Sequence, residues 1–183
     1  KPGLSPVVEI MSMHGASESP DAPYPYLHTM GPRDWQSTYQ YGLSQGHIVG
    51  CIGSTDHHSA HPGSYGHGRL AVWSASLNRG GIWEAIKSRR TYALTGDKIK
   101  LAFSINDGII GDVLPPAKKR HIICEIQGGG AIDYVDVLHN NQIIHRTNSY
   151  SKVLSAQGNP LSGTYKIHIE MGWGEKGVNV DWQ

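Results

Sequence analysis

Cys51 to Arg69 reads CIGSTDHHSAHPGSYGHGR, and the fold turns on how this stretch is understood. Ile48, Val49, Cys51 and Ile52 make a short apolar run that reads as a buried strand. The run passes directly into Asp56, His57, His58, His61 and His67, so one carboxylate and four imidazoles fall within twelve positions. That donor set suits a borderline divalent cation such as zinc, manganese or iron. Loops after the C-terminal ends of strands are also where α/β proteins carry their chemistry. In an extended Asp-x-His, side chains two apart point the same way. Asp56 and His58 are therefore expected to converge on one ion while His57 points elsewhere. The competing reading is a set of hydrogen-bonded loop histidines. An expression tag is excluded, because the cluster is internal and interrupted by Ser, Ala, Pro and Gly.

Working outward, seven of the eleven histidines precede residue 68, and the two halves of the chain differ in pattern. The first half reads as strand, loop, helix, strand, loop, helix. Pro6 to Met13 is a strand ending at His14-Gly15, and residues 16–32 are a polar, Pro-rich loop. Trp35, Tyr39 and Leu43 recur at near-helical spacing, which predicts a helix from about Arg33 to Gln45 stopped by Gly46. Arg69 to Ser74 reads as extended. Asn78 can cap a helix whose apolar stripe is Ile82, Trp83, Ala85 and Ile86, ending near Arg90.

The second half switches to period two. Leu101, Phe103 and Ile105 alternate with polar or small neighbours, and His121 to Gln127 is a strand. Tyr134–His139 and Gln142–Arg146 flank Asn140-Asn141, a hairpin signal. Tyr165, Ile167, Ile169 and Met171 alternate with Lys166, His168 and Glu170. These short strands predict an antiparallel sheet or sandwich. The change of pattern sets a domain boundary at 96/97, giving domains 1–96 and 97–183.

Composition narrows the function classes. The chain has 183 residues, enough for one large or two small domains with a real core. A net charge of +1 gives no argument for a nucleic acid or membrane-surface partner. No apolar run approaches the roughly 20 residues of a membrane-spanning helix. The 23 glycines and only 17% charged residues favour strands and loops over a helix bundle. Cys51 and Cys124 both lie in apolar runs and read as buried free thiols, which leaves the compartment open. The start at Lys1, without Met, reads as a piece of a longer polypeptide.

Three motifs in order carry a family resemblance: VEIMSMHGASE at Val8 to Glu18, the apolar strand running into GSTDHH, and GIWEAIKSRRTYALTGDKIKLAFSINDGIIGD at Gly81 to Asp112. Together they resemble the C-terminal half of uncharacterised PHP-like proteins, of the polymerase and histidinol phosphatase superfamily. The match runs over residues 7–112 and more loosely to 146. The resemblance implies a metal-dependent hydrolase, a phosphoesterase, on a distorted β/α barrel followed here by the antiparallel β domain. It implies two or three metal ions held at strand ends, with Glu9, His14, Asp56 and His58 as metal ligands. The family's early His-x-His and Thr-Asp-His motifs have no counterpart before Glu9. The chain is then expected to hold half a site, completed by a missing N-terminal half of the same polypeptide or by another chain.

The retained residues make chemical sense on those terms. Glu9 can bridge two cations, and a carboxylate inside VVEIM is costly to bury unless paired or metal-bound; an exposed strand face is the alternative. His61, His67 and Arg69 are the candidate catalytic residues. The histidines could act as a further ligand, a general acid or a phosphate donor, and Arg69 could grip an anion bidentately. Loop hydrogen bonding is the competing reading of the two histidines, and a flexible loop with no ligand that of Arg69 and the Gly-rich segment before it. The implied substrate is a small-molecule phosphoester attacked by metal-activated water. The alternative is a non-catalytic fragment or binding module, recognising carbohydrate or protein through the β domain. Uncovered strand edges near Val8 and Ile52 also predict self-association into a homo-oligomer.

Overall fold

A computed structural model describes residues 5–22, 34–58 and 68–148. His61, His67 and the alternating segment 164–171 lie outside the described residues, as do Arg33 and the Pro-rich stretch 23–32.

Strand β1 (Val7–Ser12) turns at Met13-His14 into the short β2 (Gly15–Ala16), with Ser12 opposite Gly15. Gly15 takes a φ of 101°, a left-handed conformation that glycine adopts without a Cβ clash. The helix expected over 33–45 is interrupted. A 3-10 turn spans Trp35–Ser37, and α1 begins afresh at Tyr39–Ser44. Thr38 is extended and caps α1, its hydroxyl accepting from the Tyr41 N–H at 3.2 Å. A threonine that bonds the following turn favours a new start over a continuous helix. Gly46, with a φ of 82°, ends the segment as expected.

Strand β3 (Gly50–Gly53) pairs with β1 in parallel, giving the sheet order β2-β1-β3. β4 (Arg69–Val72) and β5 (Thr91–Leu94) form an antiparallel pair separated in sequence by α2 (Arg79–Lys87). Asn78 caps α2 as predicted, accepting from the Gly81 N–H at 2.9 Å. The helix stops at Lys87 rather than Arg90, because Arg89 turns left-handed (φ 58°). The β4–β5 pair sits against β3, where Thr91 donates its hydroxyl to the Cys51 carbonyl at 3.0 Å.

The antiparallel remainder comprises β6 (Lys100–Ile105), β7 (Gly108–Ile109), β8 (Ile122–Gln127), β9 (Tyr134–His139) and β10 (Gln142–Asn148). They form a sheet of order β7-β6-β8 and a separate β9–β10 hairpin. The hairpin turns at Asn140-Asn141, both left-handed, as the sequence predicts. Arg146 clamps Asp136 through two 2.6 Å bonds and lies over the Tyr134 ring. The boundary expected at 96/97 falls in the turn between β5 and β6. Bonds cross it: Trp73 Nε1 donates to the Leu101 carbonyl at 2.7 Å, and Arg89 donates twice to the Gly111 carbonyl.

The distorted β/α barrel is therefore not formed. The chain is a set of small β-sheets with two short α-helices among the described residues. A β/α barrel needs successive strands in parallel register, each returned by a helix. Here that pattern ends after β1 and β3: β4 and β5 straddle a helix yet pair antiparallel. The stripe of α2 also fails to bury as a unit. Only Ala85 is buried, and Trp83 stays 58% exposed.

Among the described residues the buried apolar side chains are small or flexible: Met11, Ala16, Ala22 and Ala85. Shape at the β1–β3 end is set by close backbone approach. A Cβ on Gly68 would collide with the Met11 carbonyl and stand 2.6 Å from the Ser54 carbonyl oxygen. Gly130 has open space at the same position. Gly68→Ala is expected to cost about 2–4 kcal/mol in urea denaturation, and Gly130→Ala to be neutral or slightly stabilising. Equal effects would contradict this packing.

Candidate metal centre

The site grows out of the β1–β3 pairing. That pairing carries a bulge between Glu9 and Met11, which bends the strand and re-aims the residues beyond it. Past the bulge the two chains stay laced by the Ser54 N–H to the Met11 carbonyl at 2.9 Å and the Met13 N–H to the Thr55 carbonyl at 3.2 Å. The His14 turn and the 54–58 loop are thus carried side by side off one end of the sheet. The His14 N–H is held by the Ser12 hydroxyl at 3.2 Å.

His14 Nε2 lies 3.0 Å from Asp56 Oδ2, and His58 Nε2 lies 3.5 Å from Asp56 Oδ1. The two imidazole centroids are 5.2 Å apart. One donor atom from each of the three residues falls within 4.8 Å of the others. Two donors about 2.0–2.1 Å from a tetrahedral zinc are about 3.3 Å apart, so the Asp56 spacings suit a shared ion. His14 is buried, whereas Asp56 and His58 face solvent, which leaves an open side. Among the described residues the group has three protein donors; three donors with an open position is the pattern of catalytic metal sites, and closed four-donor cages that of structural ones.

The predicted convergence of Asp56 and His58 occurs, but for a different reason. β3 ends at Gly53, so the Asp-x-His is not extended. Asp56 sits at φ 45°, a left-handed turn that brings His58 back over it. Asp tolerates that conformation better than most residues. Sequence spacing gave no sign of the turn.

Glu9 does not join the three. It is exposed on β1, and its carboxylate accepts from the Ser54 hydroxyl, two residues before Asp56. The exposed strand face accounts for a carboxylate in VVEIM. Arg69 opens β4, its backbone pressed against Gly53 at the end of β3. Ser54, which braces Glu9 beside the site, carried no sequence signal as a site residue.

Two further groups lie near the β1–β3 sheet. Burial raises the Glu18 carboxyl above its ordinary value. Burial likewise pushes the Cys51 thiol up, with a lesser contribution from Glu18, against an opposing hydrogen bond from the Ala93 backbone.

The chain is 27% identical over 161 residues to an uncharacterised protein of Chlamydia pneumoniae, a match covering 79% of this chain and 26% of the relative. An uncharacterised protein of Chlamydia muridarum is 26% identical over 156 residues, 76% of this chain and 25% of the relative. One from Chlamydia trachomatis is 27% identical over 161 residues, with 79% and 26% covered. The chain thus spans about a quarter of the length of the curated relatives it matches. No family model matches it, and no solved structure does.

Asp56→Ala and Asp56→Asn both remove the carboxylate between the two histidines, but only alanine also bears the left-handed backbone cost. Alanine is therefore expected to be less stable than asparagine by about 1 kcal/mol, measured by urea denaturation with chelator present. Equal stability would argue against the turn at Asp56.

A second expectation concerns Glu18. A carboxyl raised by burial favours the folded state most at acid pH, and that contribution is lost as pH rises through the raised value. Glu18→Gln is therefore expected to stabilise the chain at pH 7, with the gain shrinking as pH falls into the ordinary carboxyl range. Denaturation midpoints at pH 7 and pH 4 read this directly, and a gain that grows on acidification would contradict the burial.

Proposed function

We propose that His14, Asp56 and His58 bind one divalent cation, zinc, manganese or iron, and form part of the centre of a metal-dependent phosphoesterase. The observation that carries the reading is the convergence of two imidazoles and a carboxylate from separate turns, with one side open. The donor set fits such an ion: neutral nitrogens and one charge-balancing oxygen suit borderline metals better than calcium or magnesium. When bound, the ion would lower the pKa of a water so that hydroxide forms near neutral pH.

The residues around it have assignable work. Buried His14 supplies a fixed donor, and exposed His58 one that can swing with substrate. Asp56, placed between the two rings, would be the charged donor that offsets the ion's positive charge. Glu9, whose carboxylate accepts from the Ser54 hydroxyl two residues before Asp56, is proposed to serve a second ion or a proton transfer at the rim. Arg69, at the start of β4, and His61 and His67, outside the described residues, remain proposals as phosphate-binding or acid groups. A phosphoester is the substrate class such a set would serve, since cations and an arginine complement its charge. The reading rests on this donor set and not on any barrel. Because the matched region is about a quarter of the relatives' length, a complete site is proposed for a longer polypeptide.

Cobalt and zinc titration of the chain, followed by visible absorption and calorimetry, tests the site. One equivalent is expected to bind, with affinity falling at least about tenfold in His14→Ala, Asp56→Ala and His58→Ala. Binding unchanged in all three variants would overturn the assignment. Assayed with phosphomonoester and phosphodiester substrates, the 183-residue chain is expected to show little turnover, and a longer polypeptide to show metal-dependent turnover lost in Asp56→Ala. Robust turnover by the 183-residue chain would refute the idea of a site completed elsewhere.

A further inference from the structure

A second cleft lies where α1 meets Glu18 and the tip of the β9–β10 hairpin. It encloses about 580 Å³, a volume within the range of small-molecule sites. Its walls are tied together by hydrogen bonds. The Tyr39 and Gln40 N–H groups donate to the Ser17 and Glu18 carbonyls at 2.9 and 3.1 Å. The Asn141 side-chain amide donates to the Gln40 carbonyl at 3.0 Å, which joins the hairpin tip to α1. Tyr39, which lines the cleft, is anchored by its hydroxyl, donating to the Val49 carbonyl at 3.0 Å. None of His14, Asp56 and His58 lines this cleft.

The charge inside it is unbalanced. Glu18 contributes a carboxylate, and no Lys, Arg or His is among the described residues that line the cleft. Nor does a cationic side chain pair with Glu18 among the described residues. Burial raises its carboxyl above the ordinary value, so an ionisable group is held partly out of water with no counter-charge beside it. Such a carboxylate gains most from a cation that comes from outside. The other lining residues narrow the choice of cation. Gln40, Asn140 and Asn141 bring neutral amides, whose oxygens can accept from an N–H donor. Leu43 and Leu138 line the cleft with side chains that stay exposed. One carboxylate with neutral amides is a poor cage for calcium or magnesium, which take six or more oxygens, several of them charged or from water. An anion would be repelled by Glu18. A positively charged N–H donor on a short alkyl chain matches the carboxylate, the amides and the leucines together.

We propose that this cleft binds a small primary organic ammonium ion, its nitrogen paired with Glu18 and its alkyl chain laid against Leu43 and Leu138. The site is separate from the metal centre, and neither reading depends on the other.

The test uses the full, isotope-labelled chain followed by NMR, with n-pentylammonium as the probe. Chelator is present throughout, so that the metal centre does not contribute. The side-chain amide signals of Gln40, Asn140 and Asn141 are expected to move saturably, with a dissociation constant of about 1 mM or tighter. n-Pentanol carries the same alkyl chain without the charge, and it should bind at least about fivefold more weakly. Glu18→Gln keeps the shape and removes the charge. It should weaken pentylammonium at least about fivefold and leave pentanol within about twofold. Equal binding of the two pentyl compounds would overturn the proposal, since the cleft would then be reading the alkyl chain alone. So would tighter binding of glucose than of pentylammonium, which would make it a site for neutral hydroxyls. Unchanged pentylammonium binding in Glu18→Gln, saturable shifts confined to residues elsewhere, or no saturable shift at all would each do the same. The comparison of the two pentyl compounds is made on the unaltered chain, so it decides the matter even where Glu18→Gln fails to fold.

Discussion

The parallel register of β1 against β3 is the constraint on which the rest of this molecule depends. Its hydrogen bonds do not stop where the strands do. The Ser54 and Met13 amides continue the lacing past both strand ends, so the turn bearing His14 and the loop bearing Asp56 and His58 leave the sheet together. The bulge at Glu9–Met11 bends the strand just before the turn, and Gly68 packs where no side chain would fit. Backbone geometry, rather than a deep apolar core, brings the three donors within reach of one another.

That economy has a cost elsewhere. Among the described residues the buried apolar side chains are Met11 and three alanines, while Trp73, Trp83, Leu77 and several isoleucines of β8 and β10 stay exposed. At about 25 cal/mol per Å², covering such side chains is the largest stabilisation still open to a chain of this kind. The relatives are about four times as long as the matched region, and among the described residues an apolar groove lies between β8 and the β9–β10 hairpin. Among the described residues, apolar side chains therefore lie more on open faces than in a closed core.

Local chemistry was legible wherever a residue acts on its immediate neighbours. Asn78 as a cap, Gly46 as a stop and Asn140-Asn141 as a turn all function over three or four residues, and each does so here. Failures came where the outcome depends on partners distant in sequence. Trp35, Tyr39 and Leu43 have helical spacing, yet Thr38 restarts the helix through its own hydroxyl. The family resemblance implied a barrel, but a strand–helix alternation does not fix strand direction, and β4 and β5 pair antiparallel. Glu9 looked costly to bury and instead lies on an exposed face, bonded to Ser54.

The sequence by itself determined the chemistry on offer: an imidazole-rich segment with one carboxylate after an apolar strand, and a second half alternating with period two. Tertiary structure decided which of those groups meet. His14 is forty-two positions from Asp56 and comes to 3.0 Å from it only because β1 pairs with β3 in parallel. His58 joins them because Asp56 turns left-handed, a dihedral that no spacing rule encodes. Residue types fix what a side chain can do within its own turn, whereas strand pairing and one backbone angle fix which distant side chain it does it with.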